Sequence, residues 1–314
     1  MTFCQYNSKV FSKGKLPILM QSYPYRSIIM IFLDPRNDIA FKKIFGSDEH
    51  KNITISFLNS ILELKGPKAI VSIDFLNNEQ LPQIIGKKDN IFDVFCIDQS
   101  NNKYIVELQV NRVKEFGKRM IYYGAKTYSL QLDRGKPYHE LTPVIVLSVV
   151  DFVMFPNKKR YKSIHRILDD ISYENDLREL AFAFVELPKF TKKENELQSN
   201  EDKWIFFIKN IKKHTEIPAA LGQNEFEEAC HVAQRMTWSE QELNIYDAAF
   251  INATDYQTGM ELAQEESLAK GIEKGISRGK IAVAHELLAC GINIEIIAKS
   301  TGLFIDEINQ LKQK

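Results

Sequence analysis

Two segments, residues 91–97 and 103–110, are rich in β-branched and aromatic residues and are separated only by the polar run 98–102. No other local pattern constrains the chain as much, because a hairpin whose turn centres on Ser100 has a fixed register. Opposed residues then sum to 200, so Asp93 faces Glu107 and Ile91 faces Gln109. Period two places Ile91, Asp93, Phe95 and Ile97 on one face with Ile105, Glu107 and Gln109. The other face carries Phe92, Val94 and Cys96 with Tyr104, Val106, Leu108 and Val110. Both faces are apolar, and the polar exceptions gather at one end of one face.

The surrounding pattern alternates helix and strand. Residues 34–46 (DPRNDIAFKKIFG) predict a helix capped by Asn37 or Asp38 and closed by Gly46. Residues 52–64 put Ile53, Phe57, Ile61 and Leu64 on one helical face before Gly66 and Pro67 stop it. Residues 69–76 read as a first strand and 143–150 as a buried strand. Between the hairpin and that strand, residues 112–133 carry a helical period through Val113, Phe116, Met120, Tyr123 and Tyr128. The order helix, three strands, helix, strand is a mixed α/β core whose hairpin leads into a crossover helix.

The expected division is an extension at 1–29, a core at 30–156, a mixed α/β extension of it at 157–218 and a helical C-terminal region at 219–314. The first segment holds Lys9, Lys13, Lys15 and Arg26 but no acid. A targeting peptide has that composition, yet a disordered extension upstream of Met30 is the preferred reading. Within 157–218, residues 161–170 are a strand or short helix, 180–187 a strand and 191–200 a charged loop.

Charge and cysteine usage exclude several classes. Across 314 residues, 41 basic side chains balance 41 acidic ones, which rules out a highly basic nucleic-acid coat protein. Four scattered cysteines without a CxxC pair argue against a disulfide scaffold and for a reducing, cytoplasmic setting. No apolar run is long enough to cross a bilayer.

Two carboxylates opposed in a half-buried strand pair repel each other, and burial penalises each charged form. Either one is protonated, a basic side chain pairs with them, or a hard divalent cation sits between them. Oxygen ligands from two acids, water and a phosphate suit Mg²⁺ or Mn²⁺ and not zinc. Gln109 projects to the same side, placed to orient a water or phosphate oxygen. The plain structural alternative pairs Glu107 with a nearby Arg or Lys and leaves Asp93 at a strand edge facing solvent. From 111 to 136 seven basic residues oppose two acids, a net charge of +5 that favours an anionic polymer held beside a metal centre.

The runs FDVFCID (92–98), YIVELQV (104–110) and RMIYYGAKTYSLQLDRGKPYHELTPVIVLSV (119–149), preceded by NDIAFKKIFG, resemble the PD-(D/E)XK nuclease family transposases, also called recombination-promoting nucleases. The resemblance covers roughly residues 34–155 and, more loosely, the C-terminal tail. It implies a restriction-endonuclease-like fold that cleaves DNA with a divalent metal. Carried over by position, Asp93 matches the family's strand aspartate, Glu107 its second acid, and Gln109 the final lysine of the signature. A neutral amide departs from the superfamily pattern, and Arg119 or Lys126 on the following helix is the candidate source of the missing charge. A first-helix acid completing the site would be Asp38 or Glu63. The implied reaction is attack of a metal-activated water on a phosphodiester, with Asp93 and Glu107 holding the ion. The alternative is a catalytically silent DNA-binding or protein-interaction module, with Gln109 as its clue.

Other signals are weaker. Arg119, Lys126, Lys42 and Lys43 are candidate contacts to DNA, the last two alternatively the solvated face of a helix whose Phe41 and Phe45 are core. Residues 219–266 hold ten acids against Arg235 alone, a stretch expected not to face phosphates. Gly271, Gly275 and Gly279, each after a basic residue, line one helical stripe. That stripe reads as a frayed linker helix or as a seam joining copies into a homo-oligomer. Ala298, Gly302 and Ile308 have helix-turn-helix spacing, with helices at 294–301 and 305–312. Asp306 and Glu307 at the head of the second argue for packing or assembly over groove entry. No histidine pair has zinc spacing, and GISRGK at 275–280 lacks the full phosphate-loop pattern.

Overall fold

A computed structural model describes residues 29–76, 92–132, 135 and 137–312. The expected extension up to residue 28 lies outside the described residues, as do Ile91, Asp133, Arg134 and Lys136. Helix α1 (Asp38–Phe45) begins where the Asn37 side chain accepts the Ile39 and Ala40 N–H groups, and it closes at Gly46. Helix α2 (Lys51–Leu62) ends sooner than its apolar period, because Glu63 turns left-handed at φ 58°. Leu64 still packs against the core from beyond the helix.

Strands β1 (Ile73–Phe75), β2 (Val94–Asp98) and β3 (Lys103–Gln109) form an antiparallel meander. Val94 pairs with Val106 and Phe95 with Ile105, the register set by a turn at Ser100. Asp98 holds that turn, its carboxylate accepting the Ser100 and Asn102 N–H groups at 2.8 and 3.0 Å. Helix α3 (Phe116–Ser129) then crosses to β4 (Val144–Val150), which lies parallel to β3. The helix is shorter than its sequence period, since Glu115 is left-handed at φ 59° and keeps Val113 outside.

Residues 161–170 resolve as the edge strand β5 (Lys162–Arg166), which pairs with β6 (Leu180–Glu186). Both belong to the same six-stranded sheet, in the order β1-β2-β3-β4-β6-β5. Helices α4 (Asn200–Asn210) and α5 (Asn224–Ala233) join α1 and α2 on one sheet face, around Trp204, Phe45, Phe57 and Phe226. Helix α3 covers the other face, where Phe116 and Met120 meet Phe95, Ile105 and Phe184. This is an α/β restriction-endonuclease-like core. Phe92 departs from the expected alternation: it packs on the α3 side, 5.5 Å from the Phe95 ring and 5.2 Å from Tyr123. It precedes β2, so the two-residue period has not yet begun there.

Helix α6 (Glu240–Ala289) runs for 50 residues and buries only Tyr246 and Ala284. Its start is anchored by Tyr246 among Leu33, Ala40 and Trp238, with the Tyr246 hydroxyl accepting the Asp34 N–H at 2.9 Å. Its end packs through Ala284 against α7 (Ile294–Thr301) and α8 (Ile305–Lys312), which have the expected bounds. Between those anchors Gly271, Gly275 and Gly279 have no neighbour within 4 Å of where a Cβ would sit. Each costs the helix ~1 kcal/mol relative to alanine, and nothing among the described residues packs there to offset it. No helix among the described residues is long and apolar enough to cross a membrane.

Candidate active site

Along β3 the side chains of Ile105, Glu107 and Gln109 share the α3 face, and the strand delivers the last two to the end of the sheet. Asp93 sits one residue ahead of β2, where the hairpin ladder would continue opposite Glu107. There its Oδ2 accepts the Leu108 N–H at 2.8 Å. Its carboxylate is therefore fixed beside Glu107 and is only 11% exposed, which excludes a solvent-facing strand edge. Asp93, Glu107 and Gln109 all line one cleft of about 640 Å³.

Cations approach each acid from a different helix. Lys42 of α1 places Nζ 3.4 Å from Asp93 Oδ1. Arg119 of α3 places Nη2 3.4 Å from Glu107 Oε1, and the same nitrogen donates to Gln109 Oε1 at 2.5 Å. Gln109 Nε2 in turn donates to the Asn111 carbonyl at 2.9 Å. Gln109 thus keeps one N–H and one lone pair for anything in the cleft. Among the described residues Glu107 Oε2 is buried with no hydrogen-bond partner. Burial, reinforced by the Asp93 charge, pushes the Glu107 carboxyl up to about 8. Burial raises Asp93 as well, and the nearby Asp38 charge adds to it against the Leu108 N–H and Lys42.

The two first-helix acids separate clearly. Asp38 lines the cleft, whereas the Glu63 carboxylate receives Lys162 Nζ at 2.7 Å, away from the cleft lining. The basic candidates separate too. Lys42 and Arg119 line the cleft, but Lys43 ion-pairs with Glu242 at 2.5 Å and lies over the Trp238 ring at 4.4 Å. Lys126 stands over the Tyr122 ring at 5.9 Å and does not reach the cleft lining.

The acidic stretch does border the cleft, contrary to the charge argument. Ala249, Phe250, Ala253, Thr254 and Gln257 of α6 form one wall, and this helical stripe carries no acid. Glu242 is turned to Lys43, and Asp247 faces Arg235 at 3.5 Å. Composition counts charges along a segment, while the helix sorts them by face.

Sequence reasoning missed a second polar cluster in the same cleft. Arg36 bridges Asp34 and Asp151, with both ion pairs at 2.8 Å, and Lys212 lies 3.5 Å from Asp34. An acid immediately after a buried parallel strand, as Asp151 is after β4, was the available signal.

The donor set fits a hard cation in part. Two carboxylates meet, one with an unpartnered oxygen, and among the described residues no histidine or cysteine lines the cleft. Among the described residues no group of three or more His, Cys, Asp or Glu is placed to hold an ion. Water and phosphate oxygens would have to complete such a shell, as Mg²⁺ accepts and structural zinc does not. Neither the curated proteins nor the solved structures gave a match. A family model described as PD-(D/E)XK nuclease family transposase matches residues 35–263, well past the segment that carries the quoted motifs. With that match spanning most of its length, the chain belongs to the PD-(D/E)XK nuclease family transposases.

Proposed function

We propose that the protein is a metal-dependent DNA endonuclease of the recombination-promoting, mobile-element type, acting in the cytoplasm as a homo-oligomer. The observation that carries this reading is the buried, unpartnered Glu107 Oε2 beside the fixed Asp93 carboxylate. An uncompensated buried carboxylate oxygen is costly, and a bound cation removes that cost. Asp93 and Glu107 would hold Mg²⁺ or Mn²⁺, with Asp38 at the edge of the same cleft. The ion, when bound, supplies an activated water and neutralises charge developing on the phosphate.

The chain's own groups do the positioning. Arg119 fixes Glu107 and Gln109 relative to each other, so the Gln109 amide is held for a water or phosphate oxygen. Lys42 and Arg119 bring positive charge to the cleft without the superfamily lysine, while Arg36 is held between Asp34 and Asp151. A polyanion in the cleft meets the acid-free stripe of α6 and not its carboxylates.

Incubation of the purified protein with supercoiled plasmid, across Mg²⁺, Mn²⁺ and EDTA, tests the proposal. Nicking with either ion and none in EDTA is the expected result. Plasmid binding without cleavage under any metal would instead favour a silent DNA-binding module.

A further inference from the structure

The middle of α6 projects from the body with apolar side chains open to solvent: Leu268, Ile272 and Ile276 are 63%, 55% and 56% exposed. Beside them runs a row of small residues at every fourth position, Gly259, Ala263, Ser267, Gly271, Gly275 and Gly279. Rows at this spacing form the ridges and grooves through which helices pack. A ridge of Met260, Gln264, Leu268 and Ile272 lies directly next to a groove of small residues on the same helix. Such a surface is complementary to itself.

Charge decides the direction of pairing. Asp255, Glu261, Glu265 and Glu266 precede the centre with no basic residue among them. Lys270, Lys274, Arg278 and Lys280 follow it, with Glu273 as the sole acid. Within the helix the halves satisfy each other only at Lys270 and Glu266, 3.6 Å apart. A parallel copy would set acid against acid and base against base, while an antiparallel copy sets each half beside its opposite. Nucleic acid is the poorer occupant, since the acidic half adjoins the basic one on the same rod.

We propose that the exposed middle of α6 pairs antiparallel with α6 of a second copy, about a two-fold axis between Ser267 and Leu268. Met260 of one copy then lies opposite Gly275 of the other, and Gln264 opposite Gly271. This pairing specifies the homo-oligomer named above and does not depend on the nuclease chemistry.

The test uses the full chain with Cys4 and Cys290 replaced by serine and one new cysteine, from Ser267→Cys or Gly279→Cys. Under mild oxidation, Ser267→Cys should give a disulfide-linked dimer. Gly279→Cys should not, because the axis leaves its two copies about 35 Å apart. Sedimentation equilibrium of the unaltered chain should report a dimer without DNA. Lys274→Glu with Arg278→Glu should weaken it about tenfold or more, and adding Glu261→Lys with Glu265→Lys should restore it. A monomer at all concentrations, a dimer formed only with DNA, or cross-linking at 279 in place of 267 would each overturn the proposal. Loss of nicking with the dimer intact would count against the nuclease reading alone.

Discussion

Glu107→Gln should abolish metal-supported nicking, by about 10³-fold, and at the same time stabilise the metal-free protein at pH 9. The two effects have one cause. Glu107 is buried beside Asp93 with one oxygen unpartnered, so its charged form is unfavourable until a cation arrives. Its carboxyl titrates at about 8 in the folded chain against 4.5 when unfolded. Below the lower value both states hold the proton, and the contribution to stability is complete. Between the two values only the folded chain holds it, so stability declines as pH rises and the contribution is gone above about 8. Thermal melts in EDTA should show the parent losing stability from pH 5 to 9, with a shallower slope in the variant, where the raised Asp93 carboxyl still contributes. Adding Mg²⁺ should raise the melting temperature of the parent only. Parallel pH profiles for both proteins would remove Glu107 from this account.

Arg119→Met should reduce nicking by about 10²-fold and destabilise the fold by about 1–3 kcal/mol at pH 9, with a smaller loss at pH 6. Arg119 bonds Glu107 and Gln109 through one nitrogen, while its guanidinium lies 4.9 Å from the Phe116 ring. Without it the Glu107 carboxylate loses its ion-pair partner on α3. At pH 6 that carboxyl takes up a proton and the missing partner matters less, which sets the sign of the pH difference. Arg119→Lys should not restore the rate, since a hydrated ammonium on a flexible stem cannot reproduce a guanidinium plane held over the Phe116 ring. Full activity in the lysine variant would show that bridging is unnecessary. Urea titrations at the two pH values, with nicking rates, decide both points.

What the sequence made legible was local. The hairpin register followed from a period of two and a polar turn, and it brought Asp93 and Glu107 together without reference to the rest of the chain. The last two helices had the expected bounds because Asn293 caps one and the left-handed Gly302 ends it. What stayed hidden depends on long-range packing or on helical azimuth. Lys42 and Lys43 are neighbours, yet about 100° of rotation sends one to Asp93 and the other to Glu242. Arg36 meets Asp151 across 115 residues of chain, a distance over which no spacing rule operates. Asp38 and Glu63 were equivalent as letters, and the left-handed turn at Glu63 carries it to Lys162.

The solitary span of α6 also works as a ruler. Ala253 forms part of the cleft wall, and the proposed axis lies beyond it on the same rigid rod. At 1.5 Å per residue, a symmetric pair holds the two walls about 44 Å apart along the rod. That distance corresponds to about 13 steps of duplex at 3.4 Å each, so the length of one helix would set the stagger between paired breaks.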